Sequence, residues 1–136
     1  MKLTIFTDGG ARGNPGPAAA GIVVKDEKGT TVAAFSEYLG EQTNNYAEYS
    51  ALISGLKKAK ELGATEVDCI LDSELVTKQM KQEYRVREAT LQKLFIQAYN
   101  TSTVFKHVTY RHVLRHNNKE ADKLVNDTLD KKIHTR

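Results

Sequence analysis

Near the start of the chain, short runs of apolar and β-branched residues alternate with turn-forming segments. Residues 2–7, 19–25 and 31–38 form three such runs, and an acidic-glycine turn at 26–29 separates the second run from the third. Two β-prone runs around a short turn are typical of a hairpin. A long glycine- and proline-rich loop over 8–17 is expected between the first run and the second.

After this hairpin the apolar positions recur at the spacing of a helix, with Leu52 and Leu56 on one stripe. Thr43 or Asn44 would cap this helix at its start, and Gly63 would end it. Further along, the pattern predicts a strand at 64–71, helices at 73–82 and 90–99, a strand at 104–113 and a last helix beginning at 117 or 118.

The order of these elements, β-β-β-α-β-α-α-β-α, determines the expected fold class. A hairpin-rich beginning followed by alternating strands and helices predicts an α/β fold, with helices packed on a mixed sheet. The chain has 136 residues, which fits one domain spanning 1–136. That length is enough to bury a core without disulfide bonds.

Composition excludes several classes of protein without choosing a function. Hydrophobic residues make up 40% of the chain and charged residues 27%, as in ordinary globular domains. No apolar run approaches the roughly 20 residues of a membrane span, and an acid and two glycines come too early for a secretory leader. Cys69 is the single cysteine, so no intrachain disulfide can form. We therefore expect a cytoplasmic protein. The net charge of +3 permits a polyanionic partner without requiring one.

Four acidic residues occupy positions from which side chains of different elements can converge. Asp8 lies where the first strand runs into the glycine loop, and Asp72 follows the apolar strand that ends at Leu71. The ends of parallel strands are where open α/β sheets present functional groups. Glu48 and Asp122 lie near the starts of helices and border their apolar stripes. A carboxylate so placed is costly to desolvate unless it is paired or binds a cation.

A group of four carboxylates suits Mg²⁺ or Mn²⁺, which are hard cations that prefer oxygen ligands. Two such ions about 4 Å apart can activate a water molecule and stabilise the leaving oxygen in phosphodiester hydrolysis. The alternative is that any one of the 17 acidic residues is a solvated surface group or a helix cap. The joint placement of the four favours a metal site.

The glycine loop at 8–17 does not match the known nucleotide-binding loops. It lacks the lysine and the Ser/Thr ending of a P-loop, and its glycines do not follow G-x-G-x-x-G. Pro15 and Pro17 also prevent a helix from starting at once. The exposed backbone N–H groups of this loop could lie against a sugar–phosphate backbone, and a plain turn is equally consistent with the pattern.

Five motifs in order resemble those of type 1 ribonuclease H along nearly the whole chain. They are Thr7-Asp8-Gly9-Gly10, Gly13-Asn14-Pro15-Gly16-Pro17, Thr43-Asn44-Asn45-Tyr46-Ala47-Glu48, Leu71-Asp72-Ser73 and Asn118-Lys119-Glu120-Ala121-Asp122. Each motif is weak alone, but the five in this order are specific. The resemblance implies a ribonuclease H-like five-stranded mixed sheet with flanking helices. It also implies cleavage of the RNA strand of an RNA–DNA hybrid by a two-metal-ion mechanism, leaving 3′-hydroxyl and 5′-phosphate ends.

The resemblance also assigns roles to the acids. All four family acids have counterparts here, so Asp8, Glu48, Asp72 and Asp122 are expected to be catalytic and to bind two Mg²⁺ or Mn²⁺ ions in the substrate complex. The expected partner is an RNA–DNA hybrid duplex. Neither a membrane nor an obligate protein partner is expected, and the chain is expected to be a monomer.

A second set of residues is implied to contact the substrate. On the minor-groove side of the hybrid these are Gly9, Gly10, Asn14, Asn44 and Asn45. That position fits the need to sense the 2′-hydroxyls that distinguish RNA from DNA. Thr43 would help to hold a phosphate of the DNA strand. Helix capping is the alternative role of the two adjacent asparagines.

The chain departs from many bacterial relatives at 81–88, which is short and lacks the tryptophan of their basic protrusion. It therefore resembles the compact form of the family. Compact relatives carry an auxiliary arginine seven residues before the last acid, which corresponds to Arg115. Longer relatives use a histidine that would be His112, and His116 could assist product release. We favour Arg115, because the R-x-x-N-x-x-A-D pattern of the compact relatives matches Arg115, Asn118, Ala121 and Asp122. The alternatives are that His112 ends a strand and that His116 is a solvated loop residue.

Two other functions are compatible with the same fold. A DNA-cutting relative would share the clustered acids, but the full set of asparagines and glycines argues against it. A binding module without activity is the second possibility, and the complete set of four acids argues against that.

Overall fold

The computed structural model describes residues 1–134, and for residue 134 it describes only the backbone. Its elements follow the order expected from the sequence. They are β1 (Lys2–Ala11), β2 (Gly16–Lys25), β3 (Thr31–Gln42), α1 (Asn44–Glu61), β4 (Glu66–Leu71), α2 (Glu74–Met80), α3 (Ala89–Ser102), β5 (His107–His112) and α4 (Lys119–His134). A single 3₁₀ turn, Arg115–Asn117, precedes α4.

The five strands form one mixed sheet in the order β3-β2-β1-β4-β5, which confirms the expected fold class. β1 pairs antiparallel with β2 and parallel with β4, and β4 pairs parallel with β5. The first strand is therefore central. Its parallel pairing with β4 ends at Thr7 and Leu71, so β4 leaves the sheet one residue before Asp8 is reached. This leaves a notch beside the second half of β1.

Helices cover both faces of the sheet. Successive residues of a strand point to opposite sides, so each face has apolar side chains that a helix can bury. Gly55 of α1 lies directly on Ile5 and Ile22, and this face carries the larger core. On the other face, α4 lies across Gly21, and Val125 and Leu129 form a smaller core with a residue of β2. Side chains of α1 on one face and of α4 on the other can therefore extend toward the notch beside β1. Among the described helices, none combines the length and hydropathy of a membrane-spanning segment.

The helix starts follow the side-chain signals in the sequence. Thr43, rather than Asn44, is the N-cap of α1, since its hydroxyl accepts a hydrogen bond from the backbone N–H of Tyr46. Ser73 caps α2 in the same way, accepting from Val76 at 3.2 Å. Each cap satisfies one of the backbone N–H groups that a helix start leaves without a partner.

The extent of the first strand is the main correction to the predicted elements. β1 does not end at residue 7 but continues to Ala11, and β2 begins at Gly16. The two strands pair as far as Ala11 and Ala18, and the N–H of Arg12 donates to the Pro17 carbonyl at 2.9 Å. The predicted loop over 8–17 is thus only a tight turn. Asp8 lies within a strand, not at its end.

The other strand boundaries shift for a related reason. β3 continues to Gln42 instead of ending at residue 38, because its pairing with β2 reaches Gly16. β4 begins at Glu66 and β5 at His107, and these two residues are partners in the parallel register. Strand limits are therefore set by which neighbour is present for pairing. The propensity of the flanking residues does not set them.

Candidate active site

Three of the four predicted acids meet beside the notch in the sheet. One carboxylate oxygen from each of Asp8, Glu48 and Asp72 lies within 4.8 Å of the other two. Asp8 comes from the middle of β1, Glu48 from the second turn of α1, and Asp72 from the residue that follows β4. Because Thr7 and Leu71 are paired in parallel, the residues that follow them stand side by side.

Glu48 reaches this group because Gly9 lets α1 approach the sheet closely. A Cβ atom built on Gly9 would lie only 2.2 Å from the backbone carbon of Ala47 and 2.4 Å from the backbone nitrogen of Glu48. No side chain fits at that distance, so only glycine permits this contact. The Gly9 backbone also forms a hydrogen bond that lowers the pKa of Glu48.

Burial and mutual repulsion raise the pKa values of the three converging carboxylates when no cation is bound. Burial, followed by the nearby charges of Asp72 and Asp122, raises the pKa of Asp8 from 3.8 to about 8. Burial and then the charges of Asp8 and Asp72 raise the pKa of Glu48 well above its ordinary value. Burial also raises the pKa of Asp72, against the opposing effects of Asp8, Arg115 and an asparagine of the α4 start. Such a cluster is stable with its full charge only when a cation offsets the repulsion.

The unpaired oxygens of the cluster fit a divalent metal ion. Glu48 Oε2 and Asp72 Oδ2 are buried and have no hydrogen-bond partner among the described residues. Buried polar atoms normally find partners, and an ionised oxygen without one is expensive. Oxygen atoms are the ligands that Mg²⁺ and Mn²⁺ prefer. The donor set therefore fits a hard cation, with Asp8, Glu48 and Asp72 as the residues that would hold it.

The fourth acid, Asp122, stands on the α4 side of the same group. It lies outside the tight set of three, but its proximity to Asp8 contributes to the raised pKa of that residue. It is half-buried, and its Oδ2 accepts a hydrogen bond from Asn126 at 3.4 Å. Gly21 makes this placement possible, because the carbonyl oxygen of Ala121 would lie 2.3 Å from any Cβ at position 21.

The three candidate auxiliary residues are placed differently. Arg115 is exposed, lines the same cleft as the acids and lies close enough to lower the pKa of Asp72. His112 is the last residue of the edge strand β5, paired with Leu71. His116 lines a separate cavity beside Phe6. Of the three, Arg115 is thus the one that lines the cleft of the acids.

Three of the four acids, Asp8, Glu48 and Asp122, line an open cleft of about 350 Å³. Four of the predicted substrate residues line this cleft: Gly9, Gly10, Asn44 and Asn45. Hydrogen bonds hold its rim in place, because the N–H of Ala11 donates to Asn44 Oδ1 at 2.8 Å and the N–H of Asn44 donates to Asn14 Oδ1 at 2.9 Å. The turn after β1 and the start of α1 are thus joined into one surface.

The other two predicted substrate residues lie in an adjoining cavity of about 430 Å³. Asn14 and Thr43 line it, and Asn45 is shared between the two cavities. Thr43 also caps α1, so its hydroxyl already has a structural role. The six predicted residues therefore form one continuous strip that runs from the acids across the start of α1.

Two residues that matter to this geometry were given no role from the sequence. Gly21 carries a signal that could have identified it, since an isolated glycine inside an apolar strand suggests close approach of another backbone. Asn118 belongs to the fifth motif, and it is only 2% exposed in the structure. Nothing in the sequence indicated that its side chain would be buried. An asparagine before a helix is ordinarily interpreted as a cap.

The family model described as reverse transcriptase-like matches residues 6–128 of this chain. The bifunctional protein Rv2228c of Mycobacterium tuberculosis is 46% identical over 131 residues, which cover 96% of this chain and 36% of that protein. Ribonuclease HI of Halobacterium salinarum is 38% identical over 95% of this chain and 65% of its own length. The chain thus spans only about a third of the mycobacterial relative.

Solved structures of similar proteins agree with these sequence matches. RNase H1 from H. salinarum superimposes with a TM-score of 0.94 at 37% identity, covering 96% of this chain and 99% of the other. LC11-RNase H1, isolated from compost by a metagenomic approach, was solved in complex with an RNA/DNA hybrid. That structure gives a TM-score of 0.92 at 43% identity, over 96% of this chain and 99% of the other.

Proposed function

This chain belongs to the type 1 ribonuclease H family, and we propose that it hydrolyses the RNA strand of RNA–DNA hybrids as an endonuclease. The observation that carries the proposal is the set of three converging carboxylates, two of them with a buried oxygen that has no partner among the described residues. This set lies beside a cleft whose lining includes asparagines and glycines. Two relatives of similar length, from H. salinarum and from compost, are ribonucleases H, and the second was solved with an RNA/DNA hybrid. We assign residues 1–136 to one catalytic domain.

The proposed reaction is attack of a water oxygen on a phosphorus atom of the RNA strand. The bond from phosphorus to the 3′ oxygen breaks, so that the products are a 3′-hydroxyl and a 5′-phosphate. Two Mg²⁺ ions, for which Mn²⁺ can substitute, would activate the water and neutralise the leaving oxygen in the substrate complex. Asp8, Glu48, Asp72 and Asp122 supply the oxygen ligands.

The strip from Gly9 to Thr43 is proposed to select the hybrid. Amide side chains donate and accept hydrogen bonds, so Asn14, Asn44 and Asn45 are suited to the 2′-hydroxyls exposed in the minor groove. Gly9 lets α1 lie close against β1, so that the start of this helix stays next to the acids. The backbone groups of Gly9 and Gly10 would contact the minor-groove side of the hybrid. Thr43 would contact a DNA-strand phosphate at the far end of the strip. We further propose that the enzyme acts in the cytoplasm as a monomer, without a membrane or an obligate protein partner.

A substrate panel tests this proposal directly. We expect a labelled RNA–DNA hybrid to be cut in the RNA strand, with Mg²⁺ or Mn²⁺ present, while duplex DNA and duplex RNA stay intact. Mapping of the fragment ends is expected to identify 5′-phosphates. Cleavage of duplex DNA would instead favour a DNA-cutting relative. Binding of the hybrid without any cleavage would favour a module that has lost activity.

Arg115 is proposed as the auxiliary residue, because it lines the cleft with Asp8 and Asp122 and its charge lowers the pKa of Asp72. We expect Arg115→Ala to lower kcat by about 10- to 100-fold, which corresponds to about 1.4–2.7 kcal/mol of transition-state stabilisation. The neighbouring His116→Ala is the matched control and is expected to keep kcat within about twofold of the wild-type value. Steady-state cleavage of the hybrid measures both. A large loss in His116→Ala with none in Arg115→Ala would reverse the assignment.

A further inference from the structure

Asn118 is a buried amide at the start of α4, next to the acids but not one of them. It is 2% exposed. Its Nδ2 donates a hydrogen bond of 2.8 Å to the carbonyl oxygen of Thr7, which is 111 residues away in the chain. Thr7 immediately precedes Asp8 in the central strand. This single contact therefore ties α4 to the backbone that carries the central acid.

The same residue touches the segments of two other acids. The backbone carbonyl of Asn118 accepts the N–H of Asp122 at 3.1 Å, so it forms part of the first turn of α4. Its side chain also lies against Asp72. Asn118 thus stands where β1, the end of β4 and the start of α4 meet.

Its side chain does not take the role usual at this position. An asparagine before a helix commonly caps it by accepting a backbone N–H with its side-chain oxygen. Here the amide turns toward Thr7, and Oδ1 is buried with no partner among the described residues. The missing cap and the unpaired oxygen both cost stability. In this orientation the Asn118 amide instead holds the start of α4 against β1.

We propose that Asn118 is a positioning residue, which holds the start of α4 against β1 so that Asp122 stands beside Asp8 and Asp72. This inference rests on the proposed hydrolysis of hybrid RNA. A small shift of a metal-binding or catalytic group costs activity well beyond its cost in stability. Loss of the contact should therefore affect the reaction and Mg²⁺ binding more than the binding of the hybrid.

The test compares Asn118→Ala with Asn117→Ala, in which the adjacent exposed asparagine is changed. Steady-state cleavage gives kcat and KM for the hybrid, and nuclear magnetic resonance follows titration of the free protein with Mg²⁺ alone. We expect Asn118→Ala to lower kcat about tenfold or more, with KM within about twofold, and to raise the Mg²⁺ midpoint at least about threefold. The Asn117→Ala protein should match the wild type. Asn118→Ser, whose hydroxyl is too short to reach Thr7 from the same position, serves if the alanine variant does not fold.

The outcomes separate positioning from mere stabilisation. A folded variant with a lower melting temperature but wild-type kcat and Mg²⁺ midpoint would overturn the proposal, and so would a change confined to KM. If the wild-type protein cuts no hybrid, the proposed function fails. The Mg²⁺ titration then still decides, since an unchanged midpoint in the variant refutes positioning and a raised one supports it.

Discussion

Replacing Asp8 with asparagine is expected to abolish Mg²⁺-dependent cleavage of the hybrid while the chain remains folded. We expect a loss of at least about 1000-fold, or about 4 kcal/mol of transition-state stabilisation. Asp8 lies close to Glu48 and Asp72, and it also interacts with Asp122. A neutral amide keeps its shape but removes the charge that a divalent cation requires. Single-turnover cleavage of a labelled hybrid measures the loss, and circular dichroism verifies the fold.

The matched control is Asp127→Asn, which changes an exposed acid on α4 that pairs with Lys123 at the surface. Exposed pairs of this kind contribute little, so we expect its activity to stay within about twofold of the wild-type value. If Asp8→Asn still cuts at more than about a tenth of the wild-type rate, the carboxylate cluster is not the catalytic site.

In metal-free buffer the free energy of unfolding is expected to fall as the pH rises between about 4 and about 8. Burial, and then the charges of Asp72 and Asp122, raises the folded pKa of Asp8 from 3.8 to about 8. A group whose pKa is raised by folding stabilises the protein while both states are protonated. That stability is lost as the pH rises through the folded pKa. Glu48 and Asp72 shift in the same direction. We expect a total loss of about 2–4 kcal/mol, below the ceiling of about 1.4 kcal/mol per pH unit for each group.

Excess Mg²⁺ is expected to remove most of this fall, because the cation replaces the protons and binds only the folded arrangement. Urea unfolding at about pH 5 and about pH 8, with Mg²⁺ or with a chelator, provides the comparison. In Asp8→Asn the metal-free profile should be flatter, which separates the cluster from other titrating groups. A metal-free stability that is constant or rises over this range would show that folding does not raise the pKa values of these acids.

Much of the architecture followed from local patterns. The helical stripe that includes Leu52 and Leu56 is buried in α1 as expected, and both residues are fully covered. Ser73 caps the helix that its position predicted. Such signals are readable because a period of 3.6 residues or a cap depends only on neighbours in the chain. The acids were found by their positions next to these elements, and three of them converge.

The second half of β1 could not be predicted in the same way. Asp8, Gly9 and Gly10 have the composition of a loop, yet they form strand because β2 pairs with them as far as Ala11. Glycine is unfavourable in a strand on its own account, so local propensity pointed the wrong way. At Gly9 the reason for the glycine is the backbone of α1 at Ala47 and Glu48, which is distant along the chain.

The sequence by itself thus determined the order of the elements and the amphipathic faces of the helices, and it predicted the four candidate acids. Each of these depends on residue type and on spacing along the chain. Only the tertiary structure decided that the pairing of β1 with β4 stops one residue before Asp8, which opens the notch where Asp8, Glu48 and Asp72 meet. It also decided that Asn118 bonds to β1 instead of capping α4. The physical reason is that both depend on contacts between segments far apart in the chain, which no local pattern encodes.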